Sequence, residues 1–362
     1  MRSRDDGKPF ALRNLAAWLV PFAAGAAACA IYRARTRYSF RGRVVVVTGA
    51  SRGLGLLLAR ELTARGAKVV INARDGAELR TAREELRARG GKVEGFTADV
   101  SNASHAGLLV SEVIRRFGRI DVLINNAGIT QVAPLANVSL ADFEAAQAVN
   151  FWGMVHTSLA ALTFMRKRGE GRIVNVTSIG GAVAVPHLLP YSAAKFAALG
   201  FSEGLSAEAA REGVRVTTVV PGLMRTGSFV NALVKGQRER EMTWFSVASN
   251  LPVLSMDARR AARRILAASA RGQSFLTLGL PAKLLRLLHG LLPGTTGRLL
   301  GLANKLLPGP GNGDQRQGAE PGWQHRSTRI ARSFLTALGN KAARENREVR
   351  WARPPSPPPS HG

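Results

Sequence analysis

The chain has 362 residues, 46% of them hydrophobic, which is enough for one large α/β domain with appendages. Its single cysteine excludes an intrachain disulfide framework, and the six histidines lack metal-ligand spacing, so no metal site is expected. A formal net charge of +27 has three readings: attraction to an anionic membrane surface, a solvated arginine-rich composition, or nucleic acid. The last is set aside, because no nucleic-acid motif is present and the few aromatics do not interleave with the basic runs.

Residues 15–32 carry no charge; Arg13 precedes them and Arg33, Arg35 and Arg37 come after. The length is close to the minimum for spanning a bilayer, although alanines and Pro21 make the stretch weakly apolar. A cleaved signal peptide is the rival reading, since Ala28-Cys29-Ala30 loosely fits a small-residue cleavage site. The dense arginines from Arg33 to Arg43 favour a cytoplasmic location for the chain beyond them. The expectation is therefore an uncleaved N-terminal membrane anchor and basic linker over residues 1–40, with Cys29 a small apolar residue within it.

The run Val44-Val45-Val46-Val47 reads as a buried parallel strand, and it stops at the glycine-rich turn Thr48-Gly49-Ala50-Ser51-Arg52-Gly53-Leu54-Gly55. Helical spacing resumes from Leu56 to Leu62. A strand, a turn without bulky side chains and a helix N-terminus together form a pyrophosphate site. Glycine lets the backbone approach the phosphates, and the free N–H groups and helix dipole stabilise their charge.

Further apolar strands alternate with helical segments: 69–72, 93–97, 120–125, 172–177 and 214–220, with 275–278 a candidate edge strand. Alternation of this kind specifies a single doubly wound α/β Rossmann domain over residues 41–280, with a mostly parallel sheet and ligands at the strands' carboxyl ends. After the second strand a carboxylate would bind the adenine ribose and repel a 2′-phosphate. This chain has Ala73 and Arg74 there, and Arg52 adds a second guanidinium nearby. Asp75 reads as the cap of the next helix.

Four segments in order and spacing make residues 42–279 resemble the short-chain dehydrogenase/reductase family. They are the Thr-Gly-x-x-x-Gly-x-Gly turn, Asn125-Asn126-Ala127-Gly128, Tyr191-Ser192-Ala193-Ala194-Lys195 with Ser178 upstream, and Pro221-Gly222 with Thr226 beyond. The resemblance implies an oxidoreductase that prefers NADP(H). It would be held by Gly49, Ser51, Arg52, Gly53, Leu54, Gly55, Arg74, the pair Asp99-Val100 at the adenine, Asn126, Ala127, Gly128, Tyr191, Lys195, Pro221, Gly222 and Thr226. It also implies a catalytic set of Ser178, Tyr191, Lys195 and Asn150, and it is compatible with a homo-oligomer. A dinucleotide kept in the cytosol agrees with a membrane-held domain facing the cytoplasm.

The chemistry of that set is dictated by the residues themselves. Tyr191 and Lys195 are four apart on one helix face, and an ammonium beside a phenol lowers its pKa from near 10. The tuned tyrosine exchanges a proton with an alcohol or carbonyl oxygen, and Ser178 stabilises charge on that oxygen. Residues 223–256 form the expected substrate lid, whose Phe229, Leu233, Val234, Met242, Trp244, Phe245 and Leu251 suit a lipophilic small molecule or else simply pack. Trp152 and His187 flank catalytic positions, as pocket lining or as structure.

Residues 281–308 read as two amphipathic helices broken around Pro293-Gly294, with Lys283, Arg286, Arg298 and Lys305 among leucines. They either meet lipid or fold onto the substrate cleft. Residues 309–362 are basic and Pro-rich, a composition that predicts a mostly disordered tail with at most a short helix around 333–344. Two other functions compete: a catalytically silent dinucleotide-binding scaffold, which would not need Ser178, Tyr191, Lys195 and Asn150, and a sugar-nucleotide epimerase or dehydratase. The latter usually carries a Thr-Gly-x-x-Gly-x-x-Gly turn and a larger C-terminal domain, and neither is found in this sequence.

Overall fold

Seven short runs, five of them rich in valine and isoleucine, become the strands of one parallel sheet: β1 (Val44–Val47), β2 (Lys68–Ala73), β3 (Lys92–Thr97), β4 (Val122–Asn125), β5 (Gly171–Val176), β6 (Val214–Pro221) and β7 (Phe275–Leu278). The structure, a computed structural model, describes residues 38–311, 318–325 and 334–349. The chain divides after Ser39, and the unit from Phe40 onward carries the fold. The expected anchor at residues 15–32 lies outside the described residues. Among those residues no helix is long and apolar enough to cross a membrane.

The strand order is β7-β6-β5-β4-β1-β2-β3. β1 is central, with Val46 in register with Val70 of β2 and Leu123 of β4, and its four valines are buried. The order reverses between β1 and β4, so the loops after these strands diverge and leave a crevice at their carboxyl ends. β7, the candidate edge strand, pairs in parallel with β6.

Helices cover the sheet: α1 (Gly53–Ala64), α2 (Gly76–Ala88), α3 (Ala103–Phe117), α4 (Leu140–Gln147), α5 (Gly153–Arg168), α6 (Leu189–Ala209), α7 (Arg238–Asn250) and α8 (Ala258–Ala270). Leu109, Val110 and Val113 of α3 and Ala161, Leu162 and Met165 of α5 meet β1, β4 and β5 in one buried cluster. Asp75 caps α2 as expected, accepting from the N–H groups of Ala77 (2.8 Å) and Glu78 (3.0 Å). A second cluster, built from Leu188, Phe229, Val230, Val234, Met242, Phe245 and Ala343, lies under the 223–256 segment.

After β7 come α9 (Leu280–Leu291) and α10 (Pro293–Asn304), broken where the proline predicts. They bury little: Ala282 and Thr296 are covered, whereas Leu284, Leu287, Leu291, Leu299 and Leu302 are each more than half exposed. Within 309–362 the short helix expected around 333–344 is present, and the described residues of the segment are more ordered than its composition predicts. Residues 318–325 and 334–349 pack onto the domain, the second as α11 (Phe334–Glu345) against α7. The physical reason is non-local: Thr336, Ala343, Asn346 and Glu348 are buried against distant segments, a one-sided face that an average over a basic, Pro-rich segment hides.

Candidate active site

The glycine turn is folded by steric necessity. Gly49 has φ +61°, and a Cβ there would stand 2.7 Å from the Cα of Ala127. Gly55 has no room either, since a Cβ would meet the Gly49 carbonyl and lie 2.6 Å from Asn126 Nδ2. The turn is tied to the loop after β4 by Thr48, whose buried hydroxyl accepts from the N–H groups of Asn126 (3.0 Å) and Ala127 (3.1 Å). Asn126 Nδ2 in turn donates to the carbonyls of Thr48 (3.1 Å) and Gly49 (3.0 Å). Two of the family-like motifs are thus one rigid structure at the switch point.

The turn fits a pyrophosphate. Gly53, Leu54 and Gly55 open α1, and its N-cap residue Arg52 makes no side-chain cap, so no side chain of the turn itself takes up the first-turn amides. Ser51 and Arg52 both reach Glu78, the arginine at 3.0 Å and the serine hydroxyl at 3.3 Å. Arg52 is therefore engaged, in contrast to the free guanidinium that the sequence suggests. Arg74, just past the end of β2, is largely exposed and stands 4.0 Å from Asp99. Asp99 accepts from the Ser101 N–H (3.0 Å) and hydroxyl (2.7 Å), and Val100 is buried behind it. Burial opposes ionisation of Asp99, but the Ser101 hydrogen bonds and Arg74 outweigh it and hold the carboxyl below its usual range. Pro221 ends β6, Gly222 donates to the Leu278 carbonyl (3.0 Å), and Thr226 is buried beyond.

The four expected catalytic residues are brought together. Ser178 lies just after β5, and Tyr191 and Lys195 lie on the first turns of α6. Ser178 and Tyr191 meet over Gly180, where a Cβ would stand 3.2 Å from Tyr191 Cε1 and 3.5 Å from Ser178 Oγ, and Lys195 Nζ stands 5.9 Å from the Tyr191 ring centroid. Lys195 Nζ donates to the Val176 carbonyl at 3.2 Å. Asn150 sits in a π-helical turn, Ala148–Trp152, between α4 and α5. Its amide pairs with both backbone groups of Ile129, accepting from N–H (3.1 Å) and donating to C=O (3.0 Å). Gly128 completes the approach: a Cβ there would stand 2.7 Å from Asn150 Oδ1 and 3.6 Å from Lys195 Nζ.

The electrostatics differ from the sequence expectation. Burial pushes the Tyr191 phenol up, with the Ser178 hydrogen bond acting in the opposite direction. Burial also lowers Lys195, to about 8. Both shifts arise from desolvation, and no influence of Lys195 on Tyr191 of the kind expected from the four-residue spacing stands beside it.

Sequence reasoning missed the polar support beneath this group. Asn125 Nδ2 donates to Ser158 (2.8 Å) and Asn175 (2.9 Å), Asn175 donates to Ser202 (3.0 Å), and Ser202 pairs with Thr218 (2.7 Å). This buried chain links β4, β5, β6, α5 and α6 below the catalytic level. Polar residues inside otherwise apolar strands are its only signal in the sequence. Trp152 is half exposed and stacks on His156, while His187 Nδ1 meets the buried Glu241 at 2.9 Å, with Trp244 donating to the same carboxylate at 2.7 Å. His187 and Trp244 are thereby held by structure.

Residues 43–235 match the sequence profile of the short chain dehydrogenases. The chain is 33% identical over 264 residues to a Mycobacterium tuberculosis protein named SadH and described as an oxidoreductase, covering 72% of this chain and 95% of that one. It is 39% identical over 185 residues to a 3-oxoacyl-[acyl-carrier-protein] reductase of Synechocystis sp., covering 51% of this chain and 75% of the relative. Among solved structures it is similar to a gluconate 5-dehydrogenase from Burkholderia cenocepacia in complex with NADP and tartrate. The TM-score is 0.61 at 28% identity, over 69% of this chain and 98% of that one.

Proposed function

The chain belongs to the short-chain dehydrogenase/reductase family, and from that premise we propose a membrane-associated oxidoreductase that uses NADP(H) on a lipophilic carbonyl or alcohol. The family membership makes it an oxidoreductase acting on CH–OH and C=O groups. The observation that supports a working enzyme is the convergence of Ser178, Tyr191, Lys195 and Asn150 around Gly128 and Gly180. A silent scaffold would have no use for such convergence.

The residues fit a dinucleotide: Gly49 and Gly55 let the turn pack tightly against the loop after β4, which brings backbone amides to the α1 N-terminus, where phosphate is favoured. Arg74, exposed after β2 where a ribose-binding carboxylate would otherwise stand, supports a 2′-phosphate and hence NADP(H). The NADP complex of the Burkholderia neighbour agrees with that preference. When bound, the nicotinamide supplies or accepts the hydride.

The chain's own groups handle the proton. In the reductive direction Tyr191 donates its phenolic proton to the substrate oxygen, and Ser178 hydrogen-bonds the same oxygen as charge develops on it. Lys195 as an ammonium balances the phenolate left behind. Asn150, held by Ile129, positions Gly128 and the lysine pocket.

Tyr191 packs against the cluster of Leu188, Phe229, Met242 and Phe245, which supports an apolar substrate. Exposed leucines on α9 and α10, interspersed with Lys283, Arg286, Arg298 and Lys305, support contact with anionic lipid, and the uncharged stretch at residues 15–32 supports burial in the membrane's apolar layer. That contact would keep the catalytic domain on the cytoplasmic side.

NADPH oxidation should be followed against ketosteroids, retinals, long-chain ketones and 3-ketoacyl compounds, with NADH alongside. Turnover of a lipophilic carbonyl with NADPH preferred is the expected result; preference for NADH, or turnover confined to small polar substrates, overturns the reading. Sedimentation of the full chain with phosphatidylserine vesicles but not with neutral ones tests the lipid contact.

A further inference from the structure

The end of the described chain lies on the glycine turn. After α11 the backbone reverses at Arg347, which has φ +60°. The Asn346 carbonyl then accepts the N–H of Gly53 at 2.9 Å, and the Glu348 carboxylate stands 3.4 Å from Arg52 Nε. Asn231 Nδ2 donates to both the Glu348 carboxylate (2.7 Å) and its carbonyl (2.8 Å). Asn346 Nδ2 donates to the Thr226 carbonyl at 3.0 Å. Two glycines are covered from this side: a Cβ on Gly53 would collide with the Glu348 carboxylate, and one on Gly227 with Ala343. Arg347 anchors the reversal on α2, donating to the Thr81 carbonyl (3.1 Å) and to Glu85 (3.2 Å).

These contacts use the groups that a pyrophosphate would use. A first-turn amide of α1 already has an acceptor, and a buried carboxylate stands against the adjacent guanidinium. The same strap bridges Gly53 to Thr226, two residues expected on either side of the bound cofactor. Val349 continues onto the apolar cluster against which Tyr191 packs. Oxygen atoms of the chain itself therefore stand in for phosphate oxygens.

We propose that residues 343–349 form an autoinhibitory strap that competes with the dinucleotide for the α1 N-terminus, so that the enzyme exists in a strapped, cofactor-excluding form and an open, binding form. The inference rests on the reading of the glycine turn as the NADP(H) site. Cofactor and strap are mutually exclusive at Gly53, so apparent affinity is the intrinsic affinity reduced by the fraction of open chains.

The test uses the full chain. NADPH binding is measured by titration for the unmodified protein and for Glu348→Ala, which removes the contacts to Arg52 and the side-chain contact to Asn231. If about nine chains in ten are strapped, the variant should bind NADPH roughly tenfold more tightly. Hydrogen exchange of the unmodified chain supplies a readout without mutation. The Glu348 and Asn346 amides donate to the Ala343 and Ala342 carbonyls, and saturating NADPH should speed their exchange. Equal or weaker binding by the variant, or protection of 343–349 by NADPH, overturns the strap: equal affinity leaves the segment uncoupled from the site, and weaker binding or protection makes it a cover over bound cofactor. If neither protein binds NADPH, the cofactor reading itself fails, and the strap with it.

Discussion

Replacing Thr48 by valine should loosen the junction between the glycine turn and the loop after β4 while keeping the side-chain volume. The hydroxyl accepts two backbone N–H groups, from Asn126 at 3.0 Å and Ala127 at 3.1 Å, and valine accepts neither. A backbone donor stranded in a protein interior costs about 1–3 kcal/mol. Asn126 and Ala127 are only partly buried, so the lower end applies to each, which gives about 2 kcal/mol for the pair. For a domain of this size that corresponds to a fall of roughly 4–8 °C in Tm. Thr48→Ser retains the oxygen and should lose well under half as much. Thermal unfolding of the full chain, followed by circular dichroism, measures both variants. A valine variant that melts with the unmodified protein, or a serine variant as damaged as the valine one, would refute the assignment of the hydroxyl as the clamp.

Three further outcomes are expected. Tyr191→Phe should lower turnover by at least about 10²-fold while leaving NADPH affinity nearly unchanged, as loss of a general acid–base group requires; steady-state kinetics and titration separate the two. Arg74→Asp should reverse the cofactor preference by removing a charge-assisted phosphate contact worth about 1.5–3 kcal/mol, or about ten- to a hundredfold in affinity. Lys195 is lowered to about 8 by burial, so it is an ammonium below that pH and neutral above it. Reductive kcat should therefore fall as pH rises through about 8, where the charge that balances the tyrosine phenolate is lost; a pH–kcat profile flat from 7 to 9 would contradict this.

The sheet and the motifs are legible in the sequence because their signals are local. Runs such as Val44–Val47 and Val214–Val220 carry strand periodicity in consecutive residues, and the glycine turn announces its own backbone conformation. Tyr191, Lys195 and Ser178 are readable for the same reason, through spacing within one helix and a fixed offset from a strand end. Features assembled from distant segments escape such reading. Thr48 reaches Asn126 and Ala127 across 78 and 79 residues, and Asn231 reaches Glu348 across 117. Arg52 reads as a phosphate ligand because nothing near it in sequence shows Glu78 or Glu348 as partners. The docking of 334–349 is hidden by the same non-locality, since a few buried positions on one helix face are diluted by the basic residues between them.

The π-turn at Ala148–Trp152 makes chain length, not only residue type, a determinant of the site. Successive residues of an α-helix are rotated by about 100°, so an i→i+5 turn takes up one residue more than the regular spiral and re-phases everything downstream. α4 before it and α5 after it are each clocked by their own buried faces, Ala146 on one side and Met154, Ala161 and Met165 on the other. The surplus residue is absorbed at Asn150, where the amide closes on both backbone groups of Ile129. Point changes at exposed positions along this helix leave the clocking intact, whereas deleting one residue between 148 and 152 would turn either α4 or α5 out of phase with its core contacts. The segment should therefore accept substitutions at its exposed positions, but not at Asn150, and reject changes of length.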